Sequence, residues 1–205
     1  MTPAGRPWQG AAFDPDSGWL FVPSITAPFV ADIVPGDPKQ TNFRYTKGTR
    51  QWIGGPRGLP LFKPPYGRIT AIDLNRGEHR WVVANGDGPR DHPAIKHLNL
   101  PPLGNPGRAA PVLTKTLLFI GEGSPIMASL GPRLPAGMPP SIAAGYGGNG
   151  FKALDKTTGE TLWRIELPAG TTGAPMTYMY RGKQYIVVAV GDAGHPPEWV
   201  ALGLP

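Results

Sequence analysis

Apolar residues fall along this chain in short runs rather than in long periodic stretches. Residues 19–23, 117–121 and 184–191 are three such runs, each bounded by turn-forming residues. No window longer than about a dozen residues escapes Gly or Pro. Proline inside a helix costs about 3 kcal/mol, so long helices are all but excluded. The pattern predicts short strands joined by many turns and some long loops.

One strand–turn–strand pattern occurs twice. Ala71-Ile72-Asp73-Leu74-Asn75-Arg76-Gly77-Glu78-His79-Arg80-Trp81 lies over Ala153-Leu154-Asp155-Lys156-Thr157-Thr158-Gly159-Glu160-Thr161-Leu162-Trp163, with Ala, Asp, Gly, Glu and Trp at the same spacing. The first strands cover residues 68–74 and 150–156. Asp with Asn or Thr opens each turn, Gly supplies its positive-φ position, and the second strand carries the Trp. A second pattern occurs three times: Arg108-Ala109-Ala110-Pro111-Val112-Leu113-Thr114, Thr172-Gly173-Ala174-Pro175-Met176-Thr177-Tyr178 and, more weakly, Gln9-Gly10-Ala11-Ala12-Phe13-Asp14. It marks the first strand of a four-stranded unit, A to D, whose last strand holds the Trp.

The units run over about 8–84, 107–167 and 172–205, with long insertions at 26–66 and 123–148. The third stops after strand C, at 198–202. Four-stranded antiparallel repeats of this kind are the blades of a β-propeller, and closed propellers take about four to eight. The expected fold is all-β: a single partial propeller domain over residues 1–205, with about three blades and the last incomplete. The missing strand is expected from residues preceding Met1 in a larger ring.

Composition refines this picture only slightly. The 29 Gly and 27 Pro bring the chain close to low-complexity composition, but six Trp, six Tyr and seven Phe supply burial area that a disordered polymer lacks. The absence of Cys removes disulfides, zinc–thiolate sites and cysteine nucleophiles. A net charge of +6 gives weak attraction to anions. The cations are scattered without a block of five or six, which argues against a nucleic-acid partner. No stretch approaches the roughly 18 apolar residues of a membrane span. Residues 1–10 lack the apolar core of a signal peptide.

The Ala-x-Asp-x-x-x-Gly-x-x-x-Trp repeat resembles the tryptophan-docking motif of pyrroloquinoline quinone (PQQ)-dependent dehydrogenases. Residues 167–178 with Gly182-Lys183-Gln184-Tyr185-Ile186-Val187-Val188 are similar to the C-terminus of the membrane-bound glucose/quinate dehydrogenase branch. Trp8-Gln9-Gly10-Ala11-Ala12-Phe13-Asp14-Pro15 and Pro64-Pro65-Tyr66-Gly67-Arg68-Ile69-Thr70-Ala71-Ile72-Asp73 fit the same branch. The resemblance covers the whole chain but only the last quarter to third of such an enzyme.

It implies an eight-bladed propeller holding PQQ and Ca²⁺ near its axis. Such an enzyme oxidises a sugar or cyclic polyol and passes electrons to a membrane quinone or cytochrome. It further implies a periplasmic, possibly membrane-associated location, and upstream blades that carry the catalytic base and the metal ligands. No catalytic or metal residue is therefore assigned in this chain. By resemblance, the loops entering the A strands face the ligand, which selects Trp8, Gln9, Asn105, Arg108, Thr171 and Thr172 as cofactor-binding candidates. Chemically, Trp8 offers a π-face, Arg108 a fork for carboxylate, and Asn105, Thr171 and Thr172 neutral hydrogen bonds to an anionic planar tricarboxylate. Pro7 stands where the family often has Asn.

Other signals point less far. Gly145-Tyr146-Gly147-Gly148-Asn149-Gly150 contains GxGxxG, but a strand is expected after it, where a dinucleotide site needs a helix. Asn85, Asp87, Asp91 and His92 cluster in a Gly/Pro loop without EF-hand spacing and read as a polar turn. His92, His97 and His195 read as surface or loop residues. The alternative to an enzyme is a non-catalytic propeller scaffold or assembly module with Trp-docking blades.

Overall fold

The structure, a computed structural model, describes residues 10–126 and 147–203. The chain begins its first sheet with β1 (Ala12–Asp14) and β2 (Trp19–Ile25). It then leaves into a separate hairpin, β3 (Phe29–Pro35) and β4 (Tyr45–Trp52), and returns through β5 (Gly67–Asp73) and β6 (Glu78–Ala84). The result is a four-stranded antiparallel sheet in the order β1-β2-β5-β6, with β3 and β4 paired only to each other. The excursion is closed at its root by Thr26 N–H donating to Tyr66 O at 2.7 Å.

The second unit opens with β7 (Gly107–Arg108), followed by β8 (Pro111–Leu113), β9 (Leu117–Gly121) and β10 (Ser124–Pro125), then β11 (Gly150–Asp155) and β12 (Thr161–Glu166). Here the sheet order is β8-β9-β11-β12, while β10 folds back on β7. Most of the second insertion lies outside the described residues. A third sheet has three strands, β13 (Met176–Tyr180), β14 (Lys183–Val190) and β15 (Glu198–Gly203). Two four-stranded meanders and a three-stranded one are the all-β architecture that the repeats predict. Among the described residues these sheets form no closed ring.

The repeated motif is explained by its register. Ala71 lies directly across from Trp81 and Ala153 directly across from Trp163, and in both sheets a β-bulge follows the alanine. Asp73 Oδ1 accepts the Asn75 N–H at 3.0 Å, and Asp155 Oδ1 accepts Thr157 N–H at 2.7 Å and Thr158 N–H at 3.0 Å, which fixes the turns. The glycines, Gly77 and Gly159, take φ of 73° and 77°, a region where a Cβ is strained.

Trp81 then reaches across to the second sheet. Its Nε1–H donates to Lys156 O at 3.1 Å, and its ring lies against Gly159, where an added Cβ would sit 2.8 Å from Cδ2 and Cε3. The turn of the second motif is thus the dock for the tryptophan of the first. Lys156 ties the same junction a second time, its Nζ meeting Asp14 at 2.7 Å.

Two cores lie between the sheets. Phe21, Ile69 and Ala71 of the first pack with Leu118, Ile120 and Leu154 of the second, and Phe21 contacts the Trp81 ring at 5.7 Å between centroids. Phe151 of the second packs with Ile186, Val188 and Val190 of the third. At this second junction Trp163 remains 41% exposed and borders a cavity of about 410 Å³ with Phe119, Ile186 and Leu202.

Candidate cofactor-facing site

In an up-and-down sheet, alternate connections fall at opposite ends. The A–B and C–D turns gather at one end. The B–C and D–A connections gather at the other, where Asn85, Asp87, Asn105, Arg108, Glu122, Thr171 and Thr172 stand. Short backbone pairings stitch these loops together. Arg108 of β7 faces Ser124 of β10, and Ser124 N–H donates to Thr171 O at 3.0 Å. One B–C loop thus joins the D–A loop entering the second sheet to the one entering the third.

Glycine makes the approach possible. A Cβ on Gly107 would overlap Glu122 O, and one on Gly123 would overlap Arg108 O. Gly121 is enclosed in the same way. Asn85 Nδ2 donates to its carbonyl at 3.0 Å, and the Thr171 side chain lies where its Cβ would be. The end of the first sheet, the second sheet and the entry to the third meet at this residue.

The sequence-predicted residues divide by position. Trp8 and Gln9 lie outside the described residues. Asn105 is half-buried and its amide is engaged on both sides: Oδ1 accepts Gly88 N–H at 3.0 Å and Nδ2 donates to Glu122 Oε2 at 2.9 Å. Thr171 is 2% exposed and its Oγ1 has no hydrogen-bond partner among the described residues. Arg108 is half-buried, and Thr172 is exposed with its N–H held by Ala189 O at 2.9 Å.

The sequence alone does not disclose the buried ionic group at this end. Glu122 is 4% exposed; Oε1 meets Arg164 Nη2 at 3.1 Å while Oε2 holds Asn105. Gly148 and Gly150 leave room for that carboxylate, since a Cβ on either would collide with it. Arg164 also pairs with Glu166 at 2.8 Å and Asp87 at 3.4 Å. Burial works against the Arg164 charge, but Glu122, Glu166 and Asp87 outweigh it and raise its pKa. Lys152 is buried beside them, donating to Ala84 O at 3.3 Å, and burial pushes its pKa down despite the attraction of Glu122. The signal available in the sequence was a Glu directly after the apolar run of β9 and a Lys inside the buried run Gly150-Phe151-Lys152-Ala153-Leu154.

His92 is in a loop but buried, not on the surface. Its Nδ1 accepts Ala94 N–H at 3.0 Å, which leaves Nε2–H to donate to Arg57 O at 3.0 Å, tying the first insertion to the loop after β6. The strand β11 begins at Gly150, so no helix follows the GxGxxG sequence, whose first two residues lie outside the described ones.

A guanidinium at Arg108 and the Thr172 hydroxyl suit an anionic group bearing carboxylates. Among the described residues no three His, Asp or Glu converge in a way that could hold a metal ion. No helix among them is long and apolar enough to cross a membrane.

The PQQ family, described as Glucose/ethanol/alcohol dehydrogenase, beta-propeller domain, matches residues 2–186. The chain belongs to this PQQ β-propeller family. Quinoprotein glucose dehydrogenase A of Acinetobacter calcoaceticus is 27% identical over 203 residues, which are 91% of this chain and 22% of that protein. Quinate/shikimate dehydrogenase (quinone) of Acinetobacter baylyi is 26% identical over 95% of this chain and 24% of its own length. Quinoprotein glucose dehydrogenase of Gluconobacter oxydans is 30% identical, over 97% and 26%. Among solved structures, the quinohemoprotein alcohol dehydrogenase ADHIIG of Pseudomonas putida shares the fold with a TM-score of 0.51 at 19% identity, over 90% of this chain and 22% of that one. The PQQ propeller chain thus spans about a quarter of the length of the relatives it matches.

Proposed function

We propose that this chain forms the C-terminal blades of a periplasmic PQQ-dependent dehydrogenase. Its substrate is a sugar or cyclic polyol of the glucose, quinate or shikimate type, and its electrons pass to a membrane quinone or cytochrome. The family match over residues 2–186 carries this reading. The stitched B–C and D–A loops support it by supplying one polar end on which a carboxylate-bearing cofactor can rest.

When bound, PQQ supplies the two-electron acceptor for the substrate CH–OH group, with Ca²⁺ held by residues outside this chain. The residues of this chain hold and orient. Arg108 offers its guanidinium to a cofactor carboxylate and Thr172 its hydroxyl. Trp8 and Gln9, outside the described residues, join them as cofactor-binding candidates by resemblance alone. Asn105 and Thr171 set the loops on which Arg108 and Thr172 stand, Asn105 through Glu122 and Thr171 through its packing on Gly121.

The test is PQQ retention in the full-length enzyme, measured by dialysis and cofactor fluorescence. Arg108→Ala is expected to weaken retention roughly tenfold or more, the scale of one charge-assisted hydrogen bond. Lys115→Ala, in an A–B turn at the opposite end, is expected to leave it unchanged. Equal retention by both variants contradicts the assignment.

A further inference from the structure

The enzyme reading does not use the hairpin of β3 and β4. Scattered along the sequence, the cations nevertheless concentrate in the segment that contains it. Residues 26–66 hold six of the twenty Lys and Arg and two of the fourteen Asp and Glu, net +4 of the chain's +6.

The distal half of the hairpin combines that charge with apolar side chains in water. Ile33 is 76% exposed, Phe43 73% and Tyr45 54%. The register places Ile33 opposite Lys47 and Pro35 opposite Tyr45, so these four project from one face of the ribbon. Lys39 and Arg44 lie in the connecting turn, both exposed, with the Arg44 guanidinium 5.4 Å from the centre of the Tyr45 ring. The two acids are engaged locally: Asp37 Oδ1 accepts Lys39 N–H at 2.9 Å, and Asp32 Oδ2 accepts the Thr49 hydroxyl at 2.5 Å.

Exposed apolar and aromatic side chains flanked by cations match an anionic lipid surface. The rings and Ile33 enter the headgroup–acyl boundary while Lys and Arg remain with the phosphates. We infer that the β3–β4 hairpin docks on anionic phospholipid. Because the hairpin is rooted in a B–C connection, docking would turn the end bearing Arg108 and Thr172 toward the bilayer. The inference concerns lipid binding alone and stands or falls independently of the redox reading.

Flotation of the 205-residue chain with vesicles tests it, because protein that merely self-associates sediments while lipid-bound protein rises. The chain is expected to float with phosphatidylglycerol–phosphatidylcholine vesicles and not with phosphatidylcholine alone, and to be released at high salt. Each basic side chain contributes roughly fivefold to such binding, so Lys39→Gln/Arg44→Gln/Lys47→Gln is expected to weaken it about a hundredfold. Ile33→Ser/Phe43→Ser is expected to weaken it at unchanged charge. Lys115→Gln/Arg181→Gln/Lys183→Gln removes equal charge from the opposite end and is expected to leave flotation intact. No flotation on anionic vesicles overturns the inference. So do equal losses from the two charge triples, or hairpin-dependent binding to RNA without binding to vesicles.

Discussion

At the residue scale, the glycines of the repeated turn carry two separable demands. Gly159 must take φ of 77° and must also receive the Trp81 ring, whereas Gly77, at φ of 73°, has nothing within 4 Å of the Cβ position. Gly77→Ala therefore meets only the backbone penalty, about 1 kcal/mol. Gly159→Ala meets that penalty and also displaces the tryptophan from its dock, adding about 1–3 kcal/mol of lost packing and overpacking strain. Denaturant unfolding of the two variants is expected to show the larger loss at Gly159. Combining Gly159→Ala with Trp81→Phe should give less than the sum of the single effects, since the two residues share one contact. Equal losses at the two glycines would show that docking contributes nothing to stability.

At the scale of elements, the sheets are held together by contacts between turns as well as by their apolar faces. Asp14, the last residue of β1, is buried and bound to Lys156 of the second sheet and to the Ser17 hydroxyl at 2.7 Å each. The Lys156 hydrogen bond, followed by that of Ser17, holds the Asp14 carboxyl below its ordinary value of 3.8. A depressed carboxylate pKa contributes stability that is present above the unfolded value and is lost as pH falls through the folded one. Asp155 adds in the same sense through the Thr158 and Thr157 N–H groups. Unfolding followed from pH 6 downward is expected to show stability falling below about pH 4. Asp14→Asn is expected to flatten that arm and to cost about 1–3 kcal/mol at neutral pH. An unaltered acid arm in Asp14→Asn contradicts the tie.

This scale also shows what the sequence reveals and what it conceals. The strands of all three sheets and the turns of the motif are legible because their causes are local: positive-φ glycines, Asp side chains bonded to the next N–H groups, and short apolar runs. The docking of Trp81 is legible because the motif repeats. The Glu122–Arg164–Asn105 group is not, because it joins residues from a B–C loop, a D strand and a D–A loop whose meeting depends on the sheet-to-sheet junction. His92 is concealed for the same reason: its partner, Arg57, belongs to the excursion between β2 and β5. The loops that enter the A strands are legible from the repeats, while the division between engaged Asn105, enclosed Thr171 and outward Thr172 emerges only from the packed structure.

At the scale of the whole molecule, the chain has one organised polar end and several uncovered apolar surfaces. Every residue of β13 is exposed, Met179 at 64%, and Trp199 of β15 is 72% exposed. Contiguous apolar surface of this kind marks where further protein packs. The chain covers about a quarter of its relatives' length, and under the proposed function those surfaces pack against neighbouring blades, which also carry the metal ligands and the base that takes the substrate proton. The most direct measurement is dye-linked oxidation of glucose, quinate and shikimate in the presence of PQQ and Ca²⁺. The 205-residue chain by itself is expected to leave the dye unreduced, and the same chain joined to the remaining blades, in frame or in trans, is expected to reduce it with at least one of the three substrates. Dye reduction by the chain alone, abolished by a chelator, would contradict the account, as would a complete propeller that binds no PQQ.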